Sequence, residues 1–147
     1  AQKGKPIILS TGMSTMAEID RAVKLVEKFT SNILIMHCTS TYPSVLNELN
    51  LKVIATLKKK YKYPIGYSGH STGVVPPVMA VTLGACAIEK HITLDRSMYG
   101  SDQPASIEPG GLKRMVSYLR KCEETLGDGI KKVYDSEVSI KEKLRGV

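Results

Sequence analysis

Glu89 and His91 close a run, Ala85-Cys86-Ala87-Ile88, that reads as a buried strand, where two charged or titratable residues call for a chemical reason. Strand side chains alternate faces, so Glu89 and His91 point together while Ile88 and Lys90 face the other way. The same spacing pairs Ser68 with His70, and Ser40 with Tyr42. Two imidazoles on neighbouring strand ends beside a carboxylate suit a Mn²⁺, Mg²⁺ or Zn²⁺ site that keeps positions open for water and a substrate oxygen. The plainer alternative is a Glu–His hydrogen bond at a strand end, with His70 as a polar loop residue.

Ser10, Ser40 and Ser68 stand at the ends of three successive strand-like runs, with Thr11 and Thr39 beside them. Hydroxyls and backbone N–H groups there can hold a phosphate or carboxylate. One such serine would be ordinary turn chemistry; three at equivalent positions suggest an anion site. The segment 99–109 is a long, polar loop of the kind that closes over substrates. Its Asp102 could hold sugar hydroxyls or serve only as a turn residue. His37 faces away from this end and reads as a hydrogen-bonded structural residue. Cys38, Cys86 and Cys122 read as core packing. An odd number without C-x-x-C spacing argues against a disulfide framework and a thiolate zinc site, and makes a reducing cytoplasm the expected home.

The elements that must position these groups repeat four times as an apolar strand, a loop rich in Gly, Ser, Thr or His, and an amphipathic helix. The first unit is Pro6 to Ser10, then a helix announced by the capping-box spacing Thr15-x-x-Glu18, with Ile19, Ala22, Val23, Val26 and Phe29 on its buried face. The second is Ile33 to Ser40 with a helix over about 51–59. The third is Pro64 to Ser68 with an apolar helix opened by Pro76-Pro77. The fourth is Ala85 to His91 with a helix carrying Leu112, Met115, Val116, Leu119, Cys122 and Leu126, stopped by Gly127. Strands alternating with helices imply an α/β fold with parallel pairing. Four units are half of a (β/α)8 TIM barrel of about 250 residues, and would also suit a flavodoxin-like open sheet. Asp128 to Val147 has no clean period and reads as a linker or arm.

With 42% hydrophobic and 24% charged positions, the chain has the make-up of a globular domain with a core. No apolar run approaches the roughly 18 residues of a membrane span. The net charge of +7 comes from dispersed lysines, densest at Lys58-Lys59-Lys60 where a helix should end, and no aromatic series accompanies it. Neither a nucleic-acid nor a membrane partner is expected. The start, Ala1-Gln2-Lys3, has no Met and no leader-like stretch, and suggests a piece of something longer.

Five stretches together resemble the N-acetylneuraminate (sialic acid) synthase family, including its legionaminic and pseudaminic acid relatives. They are Ile8 to Met13, His37-Cys38-Thr39-Ser40-Thr41-Tyr42-Pro43, Gly66-Tyr67-Ser68-Gly69-His70, Glu89 to Asp95, and Gly100-Ser101-Asp102 followed by Ser106-x-Glu108-Pro109. They fall in family order across essentially the whole chain. The resemblance implies that residues 1–127 are the last four units of a (β/α)8 barrel, and that 128–147 lead toward an antifreeze-like domain. It implies a divalent metal, Mn²⁺ foremost with Mg²⁺ possible, on His70 and His91, bound to the aldehyde oxygen of an open-chain N-acetylated amino sugar. Phosphoenolpyruvate then attacks that carbon, water adds, and phosphate leaves by C–O cleavage. Ser10, Ser40 and Ser68 match positions that hold phosphoenolpyruvate. Tyr42, Glu89 and Asp102 match positions near the sugar, with Glu89 a candidate proton carrier. Gly69 stands where many bacterial members carry Asp.

The resemblance also implies a homodimeric parent whose first four units supply an essential carboxylate and phosphate-binding lysines. The 147 residues alone are therefore expected to be inactive and to expose apolar barrel edges. The competing reading is a non-catalytic ligand-binding barrel fragment, which would have no need to keep His70, Glu89 and His91 together.

Overall fold

The computed structural model describes residues 4–146, so the reading drawn from Ala1 to Lys3 lies outside the described residues. The chain alternates β1 (Ile7–Ser10), α1 (Met16–Glu27), β2 (Ile33–Cys38), α2 (Lys52–Lys60), β3 (Ile65–Gly69), α3 (Val75–Thr82), β4 (Ile88–Lys90) and α4 (Pro109–Leu126), and ends in α5 (Asp135–Arg145). Short 3₁₀ turns at Leu46–Glu48 and Gln103–Ala105 lie in the loops after β2 and β4. The four strands form one parallel sheet in the order β1-β2-β3-β4. The expected α/β alternation is thus present as a four-stranded parallel sheet.

Local chemistry accounts for the helix ends. The Thr15 side chain caps α1 while the Glu18 carboxylate accepts the Thr15 N–H at 2.7 Å. Lys58, Lys59 and Lys60 fill the last turn of α2, where cations favour the helix dipole. Pro76 and Pro77 open α3, and Pro109 opens α4, at positions with no N–H to lose. Gly127 ends α4 at φ 60°.

One face of the sheet packs on the helices. Ile33, Ile35, Ile65 and Tyr67 meet Ile19 and Val23 of α1, Ile54 and Leu57 of α2, and Ala80 of α3 in one apolar cluster. Removing a Leu57-sized side chain from water stabilises the fold by about 1.5–3 kcal/mol. Register places Ile8, Met36, Gly66, Ser68 and Glu89 on the opposite, inner face. Gly66 is needed there because a Cβ would stand 2.3 Å from the Met36 sulfur and 2.9 Å from the Ala87 carbonyl. Ile8 is 61% exposed, so the inner face is open on the β1 side.

Several expectations change. Phe29 is exposed beyond the end of α1, where the chain has already turned toward β2. The fourth strand spans three residues rather than seven, and Cys86 is exposed, not core, because this strand is paired on one side only. Cys122 is partly buried, and Cys38 alone of the three is fully buried. The segment read as lacking periodicity contains α5, whose first turn is held by the Glu137 carboxylate accepting the Tyr134 N–H at 3.0 Å. Its Val138, Ile140 and Leu144 are exposed.

Candidate functional site

The strand ends converge on two imidazoles. The ring centroids of His70 and His91 are 5.0 Å apart with planes at 87°. The Tyr42 ring packs against both, at 4.3 Å from His70 and 5.5 Å from His91. An imidazole nitrogen sits about 2.1 Å from a first-row divalent cation, so two rings on adjacent coordination positions have centroids roughly 4.6–5.3 Å apart. The observed spacing falls within that range.

Each ring is oriented through its Nδ1. That of His70, only 3% exposed, donates to the Thr39 carbonyl at 3.0 Å, with the Cys38 sulfur 3.7 Å away. That of His91 faces the Asp102 carboxylate at 3.4 Å, an ion-pair contact longer than a good hydrogen bond. Both arrangements favour the proton on Nδ1 and leave Nε2 as the free donor atom, the pattern that outer partners impose on metal-binding histidines. Burial pushes the His70 pKa down, which favours the neutral ring that a ligand must be. Among the described residues no cluster of three or more His, Cys, Asp or Glu forms a metal cage. The Nε2 atoms of His70 and His91 are the two protein nitrogens here that could hold a cation.

Glu89 lies beside the pair. It is exposed, which corrects its reading as the end of a buried strand, and its Oε1 accepts the Ser68 hydroxyl at 2.6 Å. Tyr42 has its pKa raised by burial and by Cys38, Asp102 and Glu89, so its hydroxyl stays protonated. The loop carrying it is fastened to His70: Ser44 N–H donates to the His70 carbonyl at 3.0 Å, and its hydroxyl donates to Thr39 and Thr41 carbonyls at 3.0 and 2.8 Å. The Tyr42–Pro43 peptide is cis.

The three serines are stepped rather than equivalent. Ser10 is level with Met36 and Gly66, whereas Ser68 is level with Cys38 and Glu89, and Ser40 lies beyond the end of β2. Contact still links two of them through Gly12, whose N–H meets the Ser10 hydroxyl at 3.5 Å. A Cβ on Gly12 would lie 2.0 Å from the Ser40 hydroxyl. The Ser40 hydroxyl in turn lies 3.4 Å from the Cys38 sulfur, which reaches His70. His37 is structural as expected: it is buried on the helix side, its Nε2 is 2.8 Å from the Leu49 carbonyl, and burial lowers its pKa.

Sequence reasoning assigned no part to Lys90 or Arg96. The Lys90 ammonium donates to the carbonyls of Ser71 and, at 2.8 Å, Ala105. Burial, with Arg96 nearby, lowers its pKa to about 8, which leaves it mainly charged at neutral pH. Arg96 holds the Pro104 carbonyl through two nitrogens at 3.2 and 2.8 Å. Neither had a signal in the sequence, since each cation directly follows a carboxylate, Glu89 or Asp95, that could have been its partner.

The chain is similar to several known proteins. The chain is 46% identical over 140 residues to the N,N'-diacetyllegionaminic acid synthase of Campylobacter jejuni, covering 93% of this chain and 42% of that protein. It is 41% identical to human N-acetylneuraminate-9-phosphate synthase, covering 98% of this chain and 40% of that protein. The chain thus spans about two-fifths of the length of these relatives. The crystal structure of an N-acetylneuraminic acid synthetase from Leptospira borgpetersenii superposes with a TM-score of 0.86 at 39% identity, over 98% of this chain and 52% of that one. A truncated 3-deoxy-D-arabino-heptulosonate 7-phosphate synthase from Thermotoga maritima, 20% identical with a TM-score of 0.68, shares the fold. Residues 1–131 match the NeuB family profile, and the chain belongs to that family.

Proposed function

We propose that this chain supplies the C-terminal half of the (β/α)8 barrel of a nonulosonic acid synthase that joins phosphoenolpyruvate to N-acetylmannosamine or its 6-phosphate and releases phosphate. The observation that carries the reading is the His70–His91 pair at 5.0 Å, each ring engaged through Nδ1. These two residues would hold a divalent cation, Mn²⁺ or Mg²⁺, whose chemistry when bound is to polarise the sugar's aldehyde carbonyl.

The chain's own residues do the rest. Tyr42 walls the imidazoles with a neutral ring and can donate to a sugar oxygen. The Ser68 hydroxyl donates a hydrogen bond to Glu89, which holds that carboxylate against the site as a proton acceptor. Ser10 and Ser40, joined across Gly12, offer hydroxyls to the phosphate or carboxylate of phosphoenolpyruvate. Asp102 faces His91 with Oδ2, and its Oδ1, which accepts the Ser101 hydroxyl at 3.1 Å, keeps a lone pair for a sugar hydroxyl. The 46% identity to a legionaminic acid synthase supports a diacetylated sugar as the second candidate substrate. The parent is proposed as a cytoplasmic homodimer, with 128–147 leading toward an antifreeze-like domain. Among the described residues no helix is long and apolar enough to cross a membrane.

The test is phosphate release by the full-length protein from phosphoenolpyruvate with N-acetylmannosamine, its 6-phosphate, and the legionaminic and pseudaminic acid precursors, each with Mn²⁺ and after chelation. Turnover with one sugar that chelation abolishes is expected. Metal-independent turnover, or none with any of these sugars, would refute the proposal.

A further inference from the structure

We infer that Lys90 is the positioning residue of the two-imidazole site, acting from the helix side of the sheet through the backbone of the loops after β3 and β4. This rests on the synthase reading of that site. Lys90 lies between Glu89 and His91 and, opposite Gly69 in register, points away from the mouth. Its ammonium takes the carbonyl of Ser71, the residue after His70, and at 2.8 Å that of Ala105, which closes the turn begun by Asp102. One cation therefore joins the backbone next to the first imidazole to the turn whose carboxylate faces the second.

The surrounding bonds make the tie rigid. Arg96 grips the Pro104 carbonyl, the Ser106 hydroxyl donates to the Asp102 carbonyl at 2.7 Å, and Ile107 N–H donates to the His91 carbonyl at 2.8 Å. Among the described residues, the Asp102 side chain itself has only the 3.4 Å contact with His91 and a 3.1 Å bond from the Ser101 hydroxyl. Its place beside the imidazole is accordingly set by where the turn is held, and Lys90 holds that turn to the β3 side. Without the ammonium, two partly buried carbonyls lose a charged donor, and the turn keeps its ties to the β4 side but loses its tie to the β3 side, which shifts Asp102 relative to His91.

The experiment compares wild-type full-length protein with Lys90→Met, which keeps the stem and loses the donors, and Lys90→Arg, which restores a cation. Three readouts are taken: imidazole ¹⁵N spectra without metal, Mn²⁺ affinity by electron paramagnetic resonance, and kcat and KM for phosphoenolpyruvate. In Lys90→Met the His91 signal is expected to leave the Nδ1–H tautomer. Mn²⁺ affinity should fall at least tenfold and kcat should fall with it, while the phosphoenolpyruvate KM stays within twofold and the circular dichroism is unchanged. Lys90→Arg should recover part of the metal affinity.

Wild-type His91 tautomer and Mn²⁺ affinity in Lys90→Met would overturn the inference. Should Lys90→Met fail to fold, Lys90→Gln carries the same comparison; loss of fold in both would also overturn it, since the residue would then hold the fold rather than the site. If wild type itself binds no Mn²⁺ and turns nothing over, the synthase reading fails, while the metal-free spectra still decide what Lys90 does to His91.

Discussion

The Ser68 hydroxyl donates to Glu89 Oε1 at 2.6 Å across the register of β3 and β4. A serine engaged in this way turns its lone pairs, not its proton, toward other ligands, so its proton is withheld from an anion while Glu89 is ionised. The bond also fixes the carboxylate at the edge of the imidazole pair.

Replacing Glu89 by Gln keeps an acceptor for Ser68 and removes the charge. Steady-state kinetics of the full-length protein should show kcat reduced by about 10² or more, the loss of a positioned proton-transfer group, with an unchanged melting temperature. An unaltered kcat would remove Glu89 from proton handling.

Gly12→Ala brings a methyl group to 2.0 Å from the Ser40 hydroxyl and 3.2 Å from the Cys38 sulfur. Ser40 must swing away, so the KM for phosphoenolpyruvate should rise about tenfold, alongside a stability loss of about 1–3 kcal/mol from overpacking in urea titrations. A normal KM would take Ser40 out of the anion site.

Asp102→Asn leaves the loop its length and removes the charge facing His91 Nδ1. Mn²⁺ affinity should weaken by about 10–100-fold, the usual effect of losing an outer partner of a metal-binding histidine. Titration calorimetry with Mn²⁺ reads this directly, and affinity equal to wild type would contradict it.

Asp20 fastens α1 to α2, accepting from Lys60 Nζ at 2.6 Å and Tyr61 Oη at 2.5 Å. The Lys60 bond, then the Tyr61 bond, lowers its pKa from the ordinary 3.8. The folded state therefore binds this proton more weakly than the unfolded chain. Its stabilising effect is present above the unfolded pKa and is lost as pH falls through the lower folded value. Urea midpoints from pH 5 down to pH 2 should fall less steeply for Asp20→Asn than for wild type; equal slopes would show that the contact contributes nothing.

The alternation of strands and helices was legible because both periods are local, and the Thr15–Glu18 cap and the prolines opening α3 and α4 are local as well. The His70–His91 convergence followed from their offsets on adjacent strands. The stepping of Ser10, Ser40 and Ser68 was not legible, since register is decided by pairing between strands a whole helix apart. Cys86 and the short β4 misled because an apolar run does not tell whether a strand has one neighbour or two. Lys90 was read only as facing away. Its use depends on where two backbone carbonyls come to lie, and no side-chain pattern encodes that. The α5 helix went unseen because Val138, Ile140 and Leu144 make no buried stripe.

Among the described residues, the side chains that meet the imidazole pair, Cys38, Tyr42 and Asp102, all come from the stretch between Cys38 and Asp102. The centre is consequently portable: a crossover on either side of that stretch passes it on whole. Chimaeras exchanging flanking units with a relative of different sugar preference would keep the same inner apparatus and reveal which flank selects the sugar.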